Sequence, residues 1–181
     1  MTMLRNLVVP LCAWCALQAT TVGAAPGPWS VGADYGSASV SVPGYSGDAS
    51  ATAWSLELDW SASERLSAFA SYSGFGRADG IGACTRAFCA NPPALRADAV
   101  ALRLGVEGRL PLSERFTALG RAAWQRIEYD AIGSPQYEGG VFGFGLEFRL
   151  RDPWTVRVMY QRSSAFAADL DELTLGIRFG L

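Results

Sequence analysis

Phe142-Gly143-Phe144-Gly145-Leu146-Glu147-Phe148-Arg149-Leu150 is the stretch on which the reading of this chain turns. Large apolar side chains hold every even position; Gly, Glu or Arg hold every odd one. Successive side chains of an extended strand point to opposite faces, so this alternation builds one apolar face and one face of glycine and charge. The pattern runs from Tyr137 to Leu150, and Arg151-Asp152-Pro153 closes it as a short turn.

The same period of two recurs on both sides. Before it lie Trp29–Val42, Ala51–Trp60, Leu66–Gly76, Arg96–Leu110 and Phe116–Tyr129; after it lie Trp154–Arg162 and Glu172–Leu181. Eight short alternating segments separated by turn residues predict an all-β fold, an eight-stranded antiparallel up-and-down barrel. No low-complexity linker divides residues 26–181, so one domain is expected.

The N-terminus has a different character. Arg5 precedes a mostly apolar stretch from Leu7 to Leu17, and Thr20-Thr21-Val22-Gly23-Ala24-Ala25 is a run of small residues. This is the layout of a secretory signal peptide, with Val22 and Ala24 at the −3 and −1 positions. Residues 1–24 are therefore expected to be cleaved, leaving 25–181 as the barrel domain. Leu11 and Trp14 stand before Cys12 and Cys15 where lipoprotein processing needs a small residue, so no lipid anchor is expected. Outside this segment no apolar run is long enough for a spanning helix.

Composition excludes several classes of function. The chain has 181 residues, 18% of them charged, with no His, and its net charge is −2. Nucleic-acid binding needs a basic stripe, which is absent. Without His, imidazole cannot act as base, shuttle or metal ligand. A Ser with no base beside it is a weak nucleophile, and there is no G-x-S-x-G elbow. No enzyme and no cofactor are expected. Two Cys remain after cleavage, Cys84 and Cys89, an even number in an exported chain, which points to a disulfide. A metal site is the sharper alternative but lacks nearby ligands.

Which face lies inside decides the function. If the Leu and Phe faces line the interior, the chain is a soluble periplasmic or secreted lipocalin-like barrel for a small apolar ligand. If they face outward, it is a membrane barrel. Three features favour the second. The polar face carries Asp34, Glu57, Asp59, Arg103, Glu107, Arg109, Arg121, Glu147, Arg149, Arg157 and Arg178, nearly balanced in charge and spaced by Gly and Ser. An eight-stranded barrel has just enough interior for such side chains to fill. Aromatic residues gather at strand ends, Trp29, Trp60, Phe116, Trp154 and Phe179 toward one rim and Tyr35, Trp54, Tyr72, Trp124 and Tyr160 toward the other, as bilayer interfaces select. Short turns at Ser61–Arg65, Pro111–Arg115 and Arg151–Pro153 alternate with mostly longer loops at Pro43–Ser50, Arg77–Leu95, Ala131–Gln136 and Ser163–Asp171.

Over the whole mature chain this pattern resembles the small eight-stranded barrels of the bacterial outer membrane, the OmpA transmembrane-domain and OmpX/Ail kind. The most specific piece is Leu173-Thr174-Leu175-Gly176-Ile177-Arg178-Phe179-Gly180-Leu181, similar to the terminal strand that the barrel-assembly machinery reads. It departs from that pattern by ending in Leu181, with Phe179 two positions earlier. The resemblance implies partners: outer-membrane lipid and lipopolysaccharide, the assembly machinery during biogenesis, and a host or cell-surface ligand met through the second outer loop, 77–95. Arg126 and Arg162, each two residues beyond an outward aromatic, are candidate contacts for lipopolysaccharide phosphates, because Arg forks onto phosphate oxygens. The alternative for them is a solvated rim. For the interior charges the alternatives are an ion or proton path and a salt-bridged plug.

Overall fold

Eight strands form where the alternation runs: β1 (Trp29–Ser41), β2 (Ala49–Ser63), β3 (Leu66–Phe75), β4 (Ala99–Pro111), β5 (Phe116–Tyr129), β6 (Gln136–Arg151), β7 (Trp154–Ala165) and β8 (Ala168–Gly180). The structure, a computed structural model, describes residues 28–41, 45–77, 79, 98–130, 136–165 and 168–181. The predicted signal segment 1–24 and the Cys84 and Cys89 pair lie outside the described residues. Every strand pairs antiparallel with its neighbours in sequence, and β1 pairs with β8, so the sheet closes into a barrel without edges. At one end the connections β2–β3, β4–β5 and β6–β7 are tight turns, and bulges shift the register at Ser61/Ser63 and Arg149/Arg151.

At the opposite end β2, β6, β7 and β8 run further than the sequence reading placed them, while β1, β3 and β4 stop one to three residues short of it. Ser163–Asp171 is not a loop: β7 and β8 stay paired up to Ala165↔Ala168.

The apolar faces point outward. Phe142 is 68% exposed and Phe144 65%, and Leu104, Val106, Val158, Leu173 and Leu175 are similarly open. The lipocalin-like alternative needs these side chains inside and is set aside on that ground. The charged face points inward, where Arg103, Glu107, Asp59 and Arg157 are buried.

Near the loop end the alternation keeps its period and reverses its sign. One step beyond Tyr35, Trp54, Trp124 and Tyr160, the outward side chains become Ser37, Thr52, Arg126 and Arg162. The inward positions turn apolar in step: Ala38, Ala53, Phe75, Ala101, Ile127 and Val141 are buried. Val100 outside and Ser163 inside are exceptions. Most of these inward groups join one cluster with Val40, Ala49, Ala51, Ala99 and Tyr129, against which Tyr45, Tyr137 and Leu170 pack. Below the aromatic belt the barrel is built for lipid outside and ions inside; above it, it is built like a soluble barrel with an apolar core.

Candidate functional site

The inward charges are held by backbone geometry before any pairing. Side chains of one parity on adjacent strands share the interior, so Glu57 on β2, Glu107 on β4, Glu147 on β6 and Arg178 on β8 converge from four sides. Glycine supplies the room: a Cβ at Gly176 would lie 1.9 Å from Asp34 Oδ1, and one at Gly143 would lie 3.2 Å from Arg121 Cγ.

Glu57 is the hub. Arg121 donates to it through Nη1 at 2.8 Å and Nη2 at 3.0 Å, Arg178 Nη2 donates at 3.1 Å, and Arg157 Nη1 donates as well. Arg157 also grips Asp34 with Nε at 2.7 Å and Nη2 at 2.5 Å, and the Ser55 hydroxyl donates to the same carboxylate at 2.8 Å. Arg178 spreads over Glu147 at 2.9 Å, Asp59 at 3.2 Å and Glu107 at 3.3 Å. Arg121 closes the network onto Glu107. Its guanidinium also stands over the Phe69 ring, 4.3 Å from the centroid, an inward aromatic within β3.

Arg109 Nε donates to Glu107 at 3.2 Å, but its side chain is partly open to the turn end. Arg149 does not join the network. Its side chain is 60% exposed and, among the described residues, its one ion pair is with Asp152, 3.8 Å away. It keeps inward parity, yet it lies at the register shift, past the last inward carboxylate, Glu147, where there is no interior left to enter.

Arg103 lies outside the Glu57 network. Its guanidinium is paired with both oxygens of Glu172, its Nε donates to Gln125 Oε1 at 3.2 Å, and Phe75 lies 5.5 Å away. Glu172 escaped the sequence reading, although it shares parity with Thr174, Gly176 and Arg178. This pair borders the apolar cluster, in which a void of about 20 Å³ remains. That is room for about one water molecule.

At the loop-end rim, Arg162 pairs with Asp169 at 2.9 Å and Arg126 with Glu128 at 3.5 Å, and Arg126 also meets Gln136. Arg126 and Arg162 are both on the outward face, and the structure does not bring them together.

Closed eight-stranded pairing, an apolar exterior with aromatic rims and an ionic interior are the attributes of a barrel that crosses a bilayer. The family profile described as outer membrane protein β-barrel domain matches residues 7–181. The chain belongs to this family. As an outer-membrane β-barrel it resides in the bacterial outer membrane. Among solved structures it is similar to Ail, the attachment invasion locus protein of Yersinia pestis, with 17% identity, a TM-score of 0.57, and coverage of 86% of this chain and 100% of that one. Neisserial surface protein A gives 14% identity and a TM-score of 0.61 over 87% of this chain and all of the other. The N-terminal β-barrel domain of Pseudomonas aeruginosa OprF gives 9% and 0.54 over 86% and 100%. At these identities the likeness is one of fold. No curated protein sequence matches this outer-membrane barrel.

Proposed function

We propose that this protein is a closed outer-membrane barrel that works as an anchor and presents its loop end outside the cell, with a structural or adhesive role and no catalytic one. The observation that carries this reading is the doubly filled interior. Among the described residues ten charged side chains, from Asp34 to Arg178, are buried in it, and the apolar cluster seals the loop end above them. Eight strands leave no aqueous channel once side chains occupy the lumen, and each buried ion is held by partners that would be costly to remove. The tight turns then face the periplasm with both termini. The loop between β3 and β4 is the surface offered to a host or cell-surface ligand. The test is conductance in planar bilayers. The expected record shows no large discrete steps; frequent nanosiemens-scale openings would contradict the closed-barrel reading.

Arg126 and Arg162 support contact with lipopolysaccharide phosphates. Their present carboxylate partners are exposed, and exposed pairs are worth only about 0–1 kcal/mol, so a phosphate can displace them. Replacing both with Ala should weaken lipopolysaccharide retention on the purified barrel while leaving its folding intact; unchanged retention would refute this role. The signal segment 1–24, the Cys84–Cys89 disulfide and recognition of the terminal strand by the assembly machinery complete the proposal for export and insertion.

A further inference from the structure

Two of the turns facing the periplasm carry the same tripeptide, Ser63-Glu64-Arg65 and Ser113-Glu114-Arg115. In each, the Ser hydroxyl accepts the N–H of the Arg two residues on, at 3.3 Å, which fixes the Glu-Arg pair at the rim. Glu64, Arg65, Glu114 and Arg115 are all exposed, and among the described residues neither Arg has a carboxylate within ion-pair reach.

Above the first turn, the lipid-facing side of β3 carries Leu66 and then two small residues, Ala68 and Ala70. Their register neighbours are large, with Trp60 and Leu58 on β2 and Val106 and Leu104 on β4. The result is an open trough of about 390 Å³ lined by Trp29, Leu58, Trp60, Ala68, Phe69 and Ala70. From Arg65 to Ala70 the strand rises roughly 17 Å. At a tilt of about 35–45° this spans about half of an apolar band some 25 Å tall, the depth of one leaflet. Above the second turn β5 repeats the arrangement with Ala118, Gly120 and Ala122, and a Cβ placed at Gly120 would meet nothing within 4 Å.

We propose that each Glu-Arg turn with its small-residue strand forms a site for one zwitterionic phospholipid carrying a primary ammonium, the best-formed being the site at Glu64, Arg65, Ala68 and Ala70. Arg65 takes the phosphate through a forked, charge-assisted contact. Glu64, adjacent on the rim, takes the ammonium. One acyl chain lies along β3 over Ala68 and Ala70, against the wall of Trp29, Leu58 and Trp60. The dyad bears no net charge, so it complements a phosphoethanolamine headgroup and not an anionic one. The site rests on the membrane reading for which face meets lipid, and on nothing in the proposed adhesive role.

Native mass spectrometry of the detergent-purified full barrel, titrated with phosphatidylethanolamine, phosphatidylglycerol or phosphatidylcholine, tests this. Wild type should retain phosphatidylethanolamine at least fivefold better than either other lipid. R65Q should lower retention of all three. E64Q should erase the preference over phosphatidylglycerol, and A68L/A70L, which fills the trough, should lower retention several-fold. Heat-modifiable migration verifies that each variant folds. Equal retention of the three lipids, a preference for phosphatidylglycerol, or variants that match wild type would overturn the proposal. A chain that failed to partition into bilayers at all would instead overturn the membrane reading.

Discussion

Glu57→Gln is the most informative single change. It keeps the side chain's shape and removes its charge. The carboxylate accepts four contacts from Arg121, Arg157 and Arg178. A glutamine oxygen can replace Oε1, where Arg121 Nη2, Arg157 Nη1 and Arg178 Nη2 converge. Its NH₂ then faces Arg121 Nη1, which lay 2.8 Å from Oε2, so a donor meets a donor. At about 4 Å each attraction is worth roughly 4 kcal/mol at an effective dielectric near 20. Asp59 and Glu107 sit close enough to Glu57 that their carboxylate oxygens lie within 4.8 Å of its own, and their repulsion offsets part of that attraction. The remainder is about the worth of one broken buried pair, roughly 3–5 kcal/mol. Urea unfolding of the barrel in lipid vesicles, followed by tryptophan fluorescence, reads this loss. Arg149→Gln is the control and should change stability by less than about 0.5 kcal/mol, as surface changes do. A cost below about 1 kcal/mol for Glu57→Gln, the level of an exposed pair, would refute the reasoning.

Other changes probe the remaining interior and the lipid face. A double-mutant cycle on Arg103→Met and Glu172→Met should give a coupling energy of about 1–3 kcal/mol by the same unfolding assay, because the pair is two-pronged and buried. Ile127→Ala, in the apolar cluster, should cost about 2–4 kcal/mol through the cavity it leaves. Leu104→Ala, on the outward face, should cost about 2 kcal/mol, the water-to-lipid transfer of the lost carbons, with no cavity added because lipid refills the space.

The strand set and its parity were legible in the sequence because period two is a local signal. The alternation gives β5 its observed bounds, and the large apolar residues of β6 declare their face unaided. The outer ends were harder. Asp169-Leu170-Asp171 alternates as regularly as Leu173-Thr174-Leu175, but with the polar residues outside. Without knowing where the bilayer stops, that reversal makes Ser163–Asp171 look like a loop. The apolar cluster of Ala38, Val40 and Ile127 was hidden for the same reason. Parity also says which way a side chain points and nothing about whether any interior remains at that height, which is why it groups Arg149 with Arg157. Glu172 is within reach of parity alone; its pairing with Arg103, an inward charge 69 positions away, is not.

Spin labels placed singly from position 136 to 150 along β6 of the barrel, reconstituted in bilayers, test the account most directly. Labels at 142, 144, 146 and 148 should collide with oxygen and be shielded from water-soluble nickel, while odd positions from 141 to 147 should be shielded from both. At 136 and 138 the outward label should become nickel-accessible, marking where the sheet leaves the lipid. High nickel accessibility at 144 and 146, or shielding of the even positions from both reagents, would place the apolar face in water or in a sealed core and contradict the membrane-spanning barrel.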